Sequence, residues 1–185
     1  MEENKEIGRK VLINIVKANI FALIIMAVST IVLVTLFFII WKDHKSINGI
    51  FNFSVNGLVM IIGIFIGIVI HEYIHGLTWA YFAKSGWKSI KIGMIWKLLT
   101  PYCHCNEPMR IRNYRIGVIM PCLVLGIIPA IIALAIGSLS LLIWGIIFIS
   151  VAAGDIWMTW LLNKEKSDSL VLDHPTEAGF YIIEE

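Results

Sequence analysis

Three ionisable side chains, His71, Glu72 and His75, stand within five residues of one another at the end of an apolar stretch. On a helix the two histidines are one turn apart and project from the same face, so both imidazoles can reach a single tetrahedral zinc ion. Glu72 stands beside them, where a carboxylate can take a proton from zinc-activated water and return it to a leaving amine. The pattern therefore predicts two zinc ligands and a general acid/base for peptide-bond hydrolysis.

A catalytic zinc site usually has a third protein ligand and one open position for water. No compact histidine extension follows His75, so the third ligand has to come from farther along the chain. Asp155 is the strongest candidate, because it is the only charged residue of an otherwise apolar span, where an unpaired carboxylate would be costly. The other candidates are Cys103, His104, Cys105, Glu107, Asp173 and His174.

These assignments have simpler alternatives. The two histidines and Glu72 could mark an ordinary solvated helix end, although residues 76–83 continue the apolar helix beyond them. Asp155 could be a helix-end carboxylate near the membrane surface, or one that pairs with a loop arginine. The segment 103–105 contains zinc-binding residue types but lacks a second pair of ligands, so loop packing is the better interpretation.

The elements that carry these residues are predicted from composition. Hydrophobic residues make up 58% of the 185-residue chain and charged residues only 15%, which excludes an ordinary soluble domain. Residues 116–154 contain no charge and exceed the roughly 20 residues that one crossing needs, so two spans must share them, with a turn at 137–140. We expect an all-α membrane protein of one domain, residues 1–185, with about four transmembrane helices. The predicted segments are spans at 18–41, 55–83, 116–136 and 141–162, a loop at 84–115 and a tail at 163–185.

The span arithmetic also places the candidate ligands at one depth. With four spans, the second and the fourth run in the same direction across the membrane. His71 lies about 16 residues into one of them and Asp155 about 15 residues into the other, which at roughly 1.5 Å per residue agrees within a turn. This agreement supports Asp155 as the third ligand.

Basic residues are distributed unevenly between the two sides. Thirteen of the 15 lysines and arginines fall in the N-terminal segment, the middle loop and the tail, whereas only Lys42 and Lys45 fall in the opposite loop. The positive-inside rule then predicts a multi-pass protein of the cell membrane with both termini and the opening of the site on the cytoplasmic side. We expect contacts with anionic membrane lipids and none with nucleic acid. The three cysteines are odd in number and two of them lie on the reducing side, so no disulfide is expected.

Two segments outside the spans favour β-structure. Residues 88–105 mix polar and β-prone apolar residues and favour a short hairpin near the site, whose edge could bind an extended substrate. An amphipathic connector on the membrane surface is the alternative. Residues 170–172 and 180–183 favour two strands in the tail, and Asp173 and His174 between them are expected to be capping and surface residues.

The sequence resembles the putative zincin peptidases, a bacterial family of small membrane proteins distantly similar to site-2 proteases. The resemblance is carried by IVIHEYIHGLTWAYF at 68–82, TPYCHCNEPMRIRNYRIGVIMP at 100–121, AAGDIWMTWLL at 152–162 and LVLDHPTEAGFYI at 170–182. By position, it implies His71 and His75 as zinc ligands, Glu72 as the catalytic acid/base, and Asp155 in place of the site-2 protease aspartate. Site-2 proteases typically have glycine after that aspartate, whereas here Gly154 precedes Asp155 and Ile156 follows it.

Motif, spans and resemblance together predict an intramembrane zinc metallopeptidase that cleaves a membrane-embedded or membrane-adjacent protein substrate. Its cofactor would be Zn²⁺. The main alternative is a catalytically inactive, zinc-binding membrane adaptor or regulator. A transporter that uses the same residues as an intramembrane polar site is a third possibility, but four spans without repeat symmetry disfavour it.

Overall fold

The computed structural model describes residues 8–42, 53–95, 100–174 and 177–183. Two units are distinguished by their internal contacts. The sheet unit contains Met1–Ile15, Glu72–Met120 and Ile156–Glu185, and the helical unit contains Val16–His71 and Pro121–Asp155. Each is described by itself below.

Helices that can cross a membrane dominate the chain. Helix α1 is Ile15–Trp41 and helix α2 is Phe53–Phe82. A third continuous helical stretch runs from Ile111 to Ile136, and a fourth span results if the bent pair of helices between Leu139 and Leu162 counts as one. The prediction of a helical protein with about four spans and small β-elements is confirmed, and these helices are compatible with a multi-pass membrane protein.

Helix α1 begins at Ile15, slightly before the predicted start at 18, and it presents apolar side chains around most of its circumference. Ile31 is 66% exposed and Ile39 is 61% exposed, whereas Phe37 is the buried residue of this helix. Such exposure would be unfavourable in water and is the ordinary surface of a helix in lipid.

The third span begins earlier than predicted and contains a change of helix type. It consists of α3 (Ile111–Pro121), a π-helical segment (Cys122–Ile127) and α4 (Ile128–Ile136). The helix begins before the predicted span start at 116, because Ile111 and Tyr114 are fully buried in the core of the sheet unit, which stabilises a first turn that lipid alone would not. Pro121 and Pro129 lack N–H donors within this stretch, which is the usual reason for a disturbed ladder of helix hydrogen bonds.

The fourth predicted span is two helices. Helix α5 is Leu139–Val151 and helix α6 is Ala153–Leu162, with a bend of 46° between them. At Ala152 the backbone leaves the helical region, with φ −77° and ψ 8°. The predicted turn at 137–140 is present: Gly137 ends α4 with a positive φ of 73°, and the Ser138 side chain caps α5.

Among the residues that the structure describes, six strands form two antiparallel sheets. The larger sheet has four strands and belongs to the sheet unit. In their order across the sheet, these strands are β1 (Arg9–Leu12), β6 (Gly179–Ile183), β5 (Leu170–Asp173) and β4 (Met109–Arg110). The predicted tail strands are therefore confirmed, whereas β1, which pairs with β6, was not predicted. Side chains of this sheet, including Val171, Phe180 and Ile182, form the core together with residues of α2, α3 and α6.

The predicted hairpin is also present. Strand β2 (Ile90–Ile95) pairs with β3 (Thr100–Cys105), with Ile90 opposite Cys105 and Ile92 opposite Cys103. The residues that join them, 96–99, lie outside the described part of the chain. A short 3₁₀ turn, Gly86–Ser89, connects α2 to this hairpin.

In the helical unit, α5 packs closely against the π-helical segment and α4 through glycines. A Cβ placed on Gly145 would come within 2.8 Å of Ala130 Cβ and 2.9 Å of the Gly126 carbonyl oxygen. Small residues of this kind allow two backbones to approach, and dispersion between the helices then replaces contacts with lipid.

Replacing Gly145 with valine should therefore lower the melting temperature of the detergent-purified protein. The added side chain overpacks the contact, at a cost of about 1–3 kcal/mol. Gly57→Val is the matched control, because a Cβ at Gly57 meets no atom within 4 Å. An equal loss of melting temperature in both variants would contradict the close packing at Gly145.

Candidate metal centre

His71 and Asp155 meet in the helical unit, as their predicted depths required. His71 Nε2 lies 3.0 Å from Asp155 Oδ2. The imidazole is only 4% exposed, and the Asp155 side chain is 20% exposed. The two residues are 84 positions apart in the sequence, so the contact depends on tertiary packing.

The break at Ala152 gives Asp155 a particular backbone setting. It lies in the first turn of α6, the end at which unpaired N–H groups and the helix dipole favour a negative charge. A single unbroken helix, as the sequence predicted, would have put Asp155 in a helix interior with no such stabilisation. The break thus helps to retain a carboxylate in an apolar setting.

His75 lies one turn beyond His71 on α2 and is 5% exposed. Its Nδ1 lies 2.8 Å from the carbonyl oxygen of Gly117 in α3. A carbonyl oxygen only accepts, so Nδ1 carries the proton in this contact and Nε2 keeps its lone pair for a metal. The His75 ring also stacks on Trp79, with centroids 5.1 Å apart and planes 14° from parallel.

The burial pattern of α2 explains why the histidines face inward. Gly67, His71, His75 and Trp79 recur at intervals of four and are all buried, whereas Phe65, Val69, Tyr73 and Leu77 on other faces are exposed. On α2, the two histidines therefore face inward together with Trp79, while large apolar side chains cover another face. This is the arrangement expected of functional polar groups in lipid.

One possible ligand atom from each of His71, His75 and Asp155 lies within 4.8 Å of the other two. Donor atoms that share a tetrahedral zinc at about 2.0 Å lie roughly 3.3 Å apart, so the three residues fit the ion after small adjustments. Two imidazoles and a carboxylate are a donor set that zinc accepts in catalytic sites. Within the described residues, no other three His, Cys, Asp or Glu side chains form such a group.

Glu72 is half-buried and lies next to the hairpin of the sheet unit. Its negative charge is one of the causes, after burial, that raise the pKa of the Cys103 thiol on β3. The hairpin can lie close because α2 has glycine at position 76: a Cβ there would be 3.1 Å from Ile90 and 3.2 Å from the Cys103 sulfur. Tyr73 and Trp87 extend this contact, with ring centroids 5.2 Å apart.

The two loop cysteines are packing residues in this structure. Burial is the largest cause that raises the pKa of both Cys103 and Cys105, so both remain protonated thiols near neutral pH. A protonated thiol is a poor metal ligand. All three cysteines are free, as the sequence predicted.

Glu107 has a structural role at the end of α2. Its two carboxylate oxygens accept hydrogen bonds from the backbone N–H groups of Lys84 and Ser85, at 2.9 and 3.0 Å. These hydrogen bonds lower the pKa of Glu107, and the one from Ser85 has the largest effect. The Glu107 carboxylate therefore binds the backbone just after α2 and not the histidine pair.

The expectation that Asp173 and His174 are surface residues is wrong, because both are buried. Asp173 accepts hydrogen bonds from the Cys105 N–H, at 2.8 Å, and from the Tyr114 hydroxyl, and its carboxylate lies 3.5 Å from His104 Nδ1. Burial is the largest effect on Asp173 and raises its pKa. His174 does have the expected capping role, since its Nδ1 accepts from the Glu177 N–H at 3.0 Å.

Sequence reasoning missed three residues next to the histidines. Trp79 lies one turn after His75, and its spacing on the helix face was the available signal. Tyr114 and Gly117 had no local signal, because their proximity to α2 depends on how α3 packs.

A family model described as putative zincin peptidase matches residues 64–170, more than half of the chain. That stretch includes His71, Glu72, His75 and Asp155. No curated protein and no solved structure matches the chain. The family points to a zinc metallopeptidase, and the chain belongs to the putative zincin peptidase family.

Proposed function

We propose that this protein is a zinc-dependent intramembrane metallopeptidase that hydrolyses a peptide bond in or near the membrane. The observation that carries the proposal is the group of His71, His75 and Asp155 on helices with apolar outer faces. Two buried imidazoles and a mostly buried carboxylate in such surroundings are unfavourable unless a metal or a reaction uses them. Family membership supplies the reaction class.

In this proposal His71, His75 and Asp155 hold the zinc ion. Bound zinc would polarise a water molecule and the substrate carbonyl, as in other zinc peptidases. The carbonyl of Gly117 keeps Nδ1 of His75 protonated and orients the ring, so that its other nitrogen would be available to bind the metal. Asp155 would offset part of the charge of the divalent cation.

Glu72 is the general acid/base. It lies on α2 directly after His71 and near the hairpin, so its carboxylate can take a proton from the attacking water. The same carboxyl group then gives the proton to the leaving amine. Without this transfer, the amine would have to leave as a strongly basic anion.

The hairpin supports binding of an extended substrate. Strands β2 and β3 form a two-stranded sheet with no further strand among the described residues, so main-chain groups along an outer edge are available. An extended peptide added to that edge would expose its carbonyls to attack next to Glu72. The basic residues of loop and tail support a cytoplasmic opening at a surface of anionic lipids.

Metal analysis of the detergent-purified protein should give one zinc per chain. His71→Ala and His75→Ala should each abolish stoichiometric zinc, because two remaining ligands bind the ion too weakly to survive dialysis. His44→Ala changes a histidine outside the motif and should retain the metal. Full zinc occupancy in either motif variant would contradict the ligand assignment.

Glu72→Gln should retain zinc and lose cleavage. The amide cannot accept the proton of the attacking water, so turnover should fall by at least 10²-fold, the usual contribution of a general base. Cleavage can be followed as new protein N-termini in membranes that contain the wild type but not the variant. Asp168→Asn, at an exposed carboxylate, is the control and should cleave normally. Equal sets of N-termini from wild type and Glu72→Gln would favour the inactive adaptor.

Gly117→Ala should weaken zinc binding without removing a ligand. A Cβ at Gly117 would lie 2.1 Å from Trp79 Nε1, so the indole must move away from its stacked position on His75. Loss of such supporting contacts typically costs about 10–100-fold in metal affinity. Competition with a chelator measures this, with Gly57→Ala as the control in open space. Unchanged zinc affinity would show that the stacked Trp79 ring does not orient His75.

A further inference from the structure

We propose that Asp173, in the C-terminal tail, is a positioning residue for the zinc ligand His75 and acts through Tyr114 and Trp79. This inference rests on the proposed zinc site and extends it to a residue beyond the matched family segment, which ends at residue 170. All four residues belong to the sheet unit.

The first link joins the tail to α3. Asp173 is the last residue of β5 and accepts the hydroxyl hydrogen of Tyr114, a residue of the first turn of α3. Neighbouring backbone contacts support the same junction: the N–H of Ile111 donates to Ser169 O at 3.0 Å, and that of Arg112 to Ser167 O at 3.1 Å. The tail thereby determines where the first turn of α3 lies.

The second link joins α3 to α2 through stacked rings. The Tyr114 ring stacks on Trp79 with centroids 5.0 Å apart, and Trp79 stacks on His75 at 5.1 Å. The planes of each pair lie within 14° of parallel. Trp79 Nε1 also donates to the Tyr114 carbonyl oxygen at 3.1 Å, which fixes the indole within the stack.

The third link is the acceptor of His75. The carbonyl of Gly117, three residues after Tyr114, accepts from His75 Nδ1. A shift of the first turn of α3 would therefore move both the stacked face and the hydrogen-bond acceptor of His75. Tyr114, Trp79 and His75 are each at most 5% exposed, so the stack has little free volume in which to absorb such a shift.

The chemistry of Asp173 favours this role over that of a passive core residue. A buried carboxylate is unfavourable unless it is well hydrogen-bonded, and an apolar residue would stabilise a core at lower cost. Asp173 instead receives donors from two different elements, Cys105 N–H on β3 and the Tyr114 hydroxyl on α3, with His104 alongside. It thus holds the hairpin and the stacked rings in fixed positions relative to each other.

Tyr114→Phe and Asp173→Asn test the inference in the full-length protein. Tyr114→Phe removes only the hydroxyl and keeps the stacked ring, so it is the more conservative change. We expect each variant to bind zinc about tenfold more weakly than wild type, toward the lower end of effects seen for residues that orient metal ligands. The visible absorption spectrum of bound Co²⁺, which reports ligand geometry, should also change. Asp168→Asn is the matched control, because this tail carboxylate is exposed and pairs with Arg110 and Arg112.

The double variant should bind zinc no more weakly than Asp173→Asn alone, because both changes break the same link. Wild-type zinc affinity and an unaltered Co²⁺ spectrum in both single variants, even with a lower melting temperature, would overturn the inference. Loss of the fold in both variants, with and without metal, would also overturn it, because the network would then hold the fold and not the ligand.

Failure of this inference can be distinguished from failure of the proposed function. A wild-type protein that binds no zinc defeats the proposed function itself. A wild type that binds zinc, with variants that bind it equally well, defeats only the role of Asp173.

Discussion

The structure depends on keeping two imidazoles and a carboxylate on helices whose other faces suit lipid. Each of these groups is unfavourable in an apolar medium unless it has polar partners. His71 faces Asp155 at 3.0 Å, and His75 faces the Gly117 carbonyl at 2.8 Å. His71 and His75 are four residues apart, so both lie on the inward face of α2, while its other faces carry exposed apolar side chains.

Irregular backbone helps these helices to hold polar side chains. The π-helical segment at Cys122–Ile127 and the break at Ala152 both interrupt spans that composition alone would make straight. The break puts Asp155 in a first helical turn, where free N–H groups favour its charge. Glycines at 76 and 117 allow the hairpin and the Trp79 indole to approach α2 and α3. Positions without a side chain thus let neighbouring groups approach the helices that carry the candidate site.

The sheet unit contains the residues that contact His75. Its core joins α2, α3 and α6 to a sheet assembled from both ends of the described chain, since β1 pairs with β6. Asp173, Tyr114 and Trp79 connect that sheet to the ligand through hydrogen bonds and stacked rings. A metal ligand held by several such contacts loses less entropy when the ion binds, which favours tight binding.

The sequence by itself determined the local features: the helix that carries His71, Glu72 and His75, the number of possible spans, the hairpin at 90–105 and the two tail strands. These follow from spacing and hydropathy, which act between near neighbours in the chain. The sequence offered Asp155 among several candidate ligands, and the tertiary structure placed its carboxylate 3.0 Å from His71. Only the tertiary structure decided the Gly117 acceptor of His75, the burial of Asp173 and the pairing of β1. Those features join residues that are distant in sequence, and packing brings them together without leaving a periodic pattern that a sequence reader could detect.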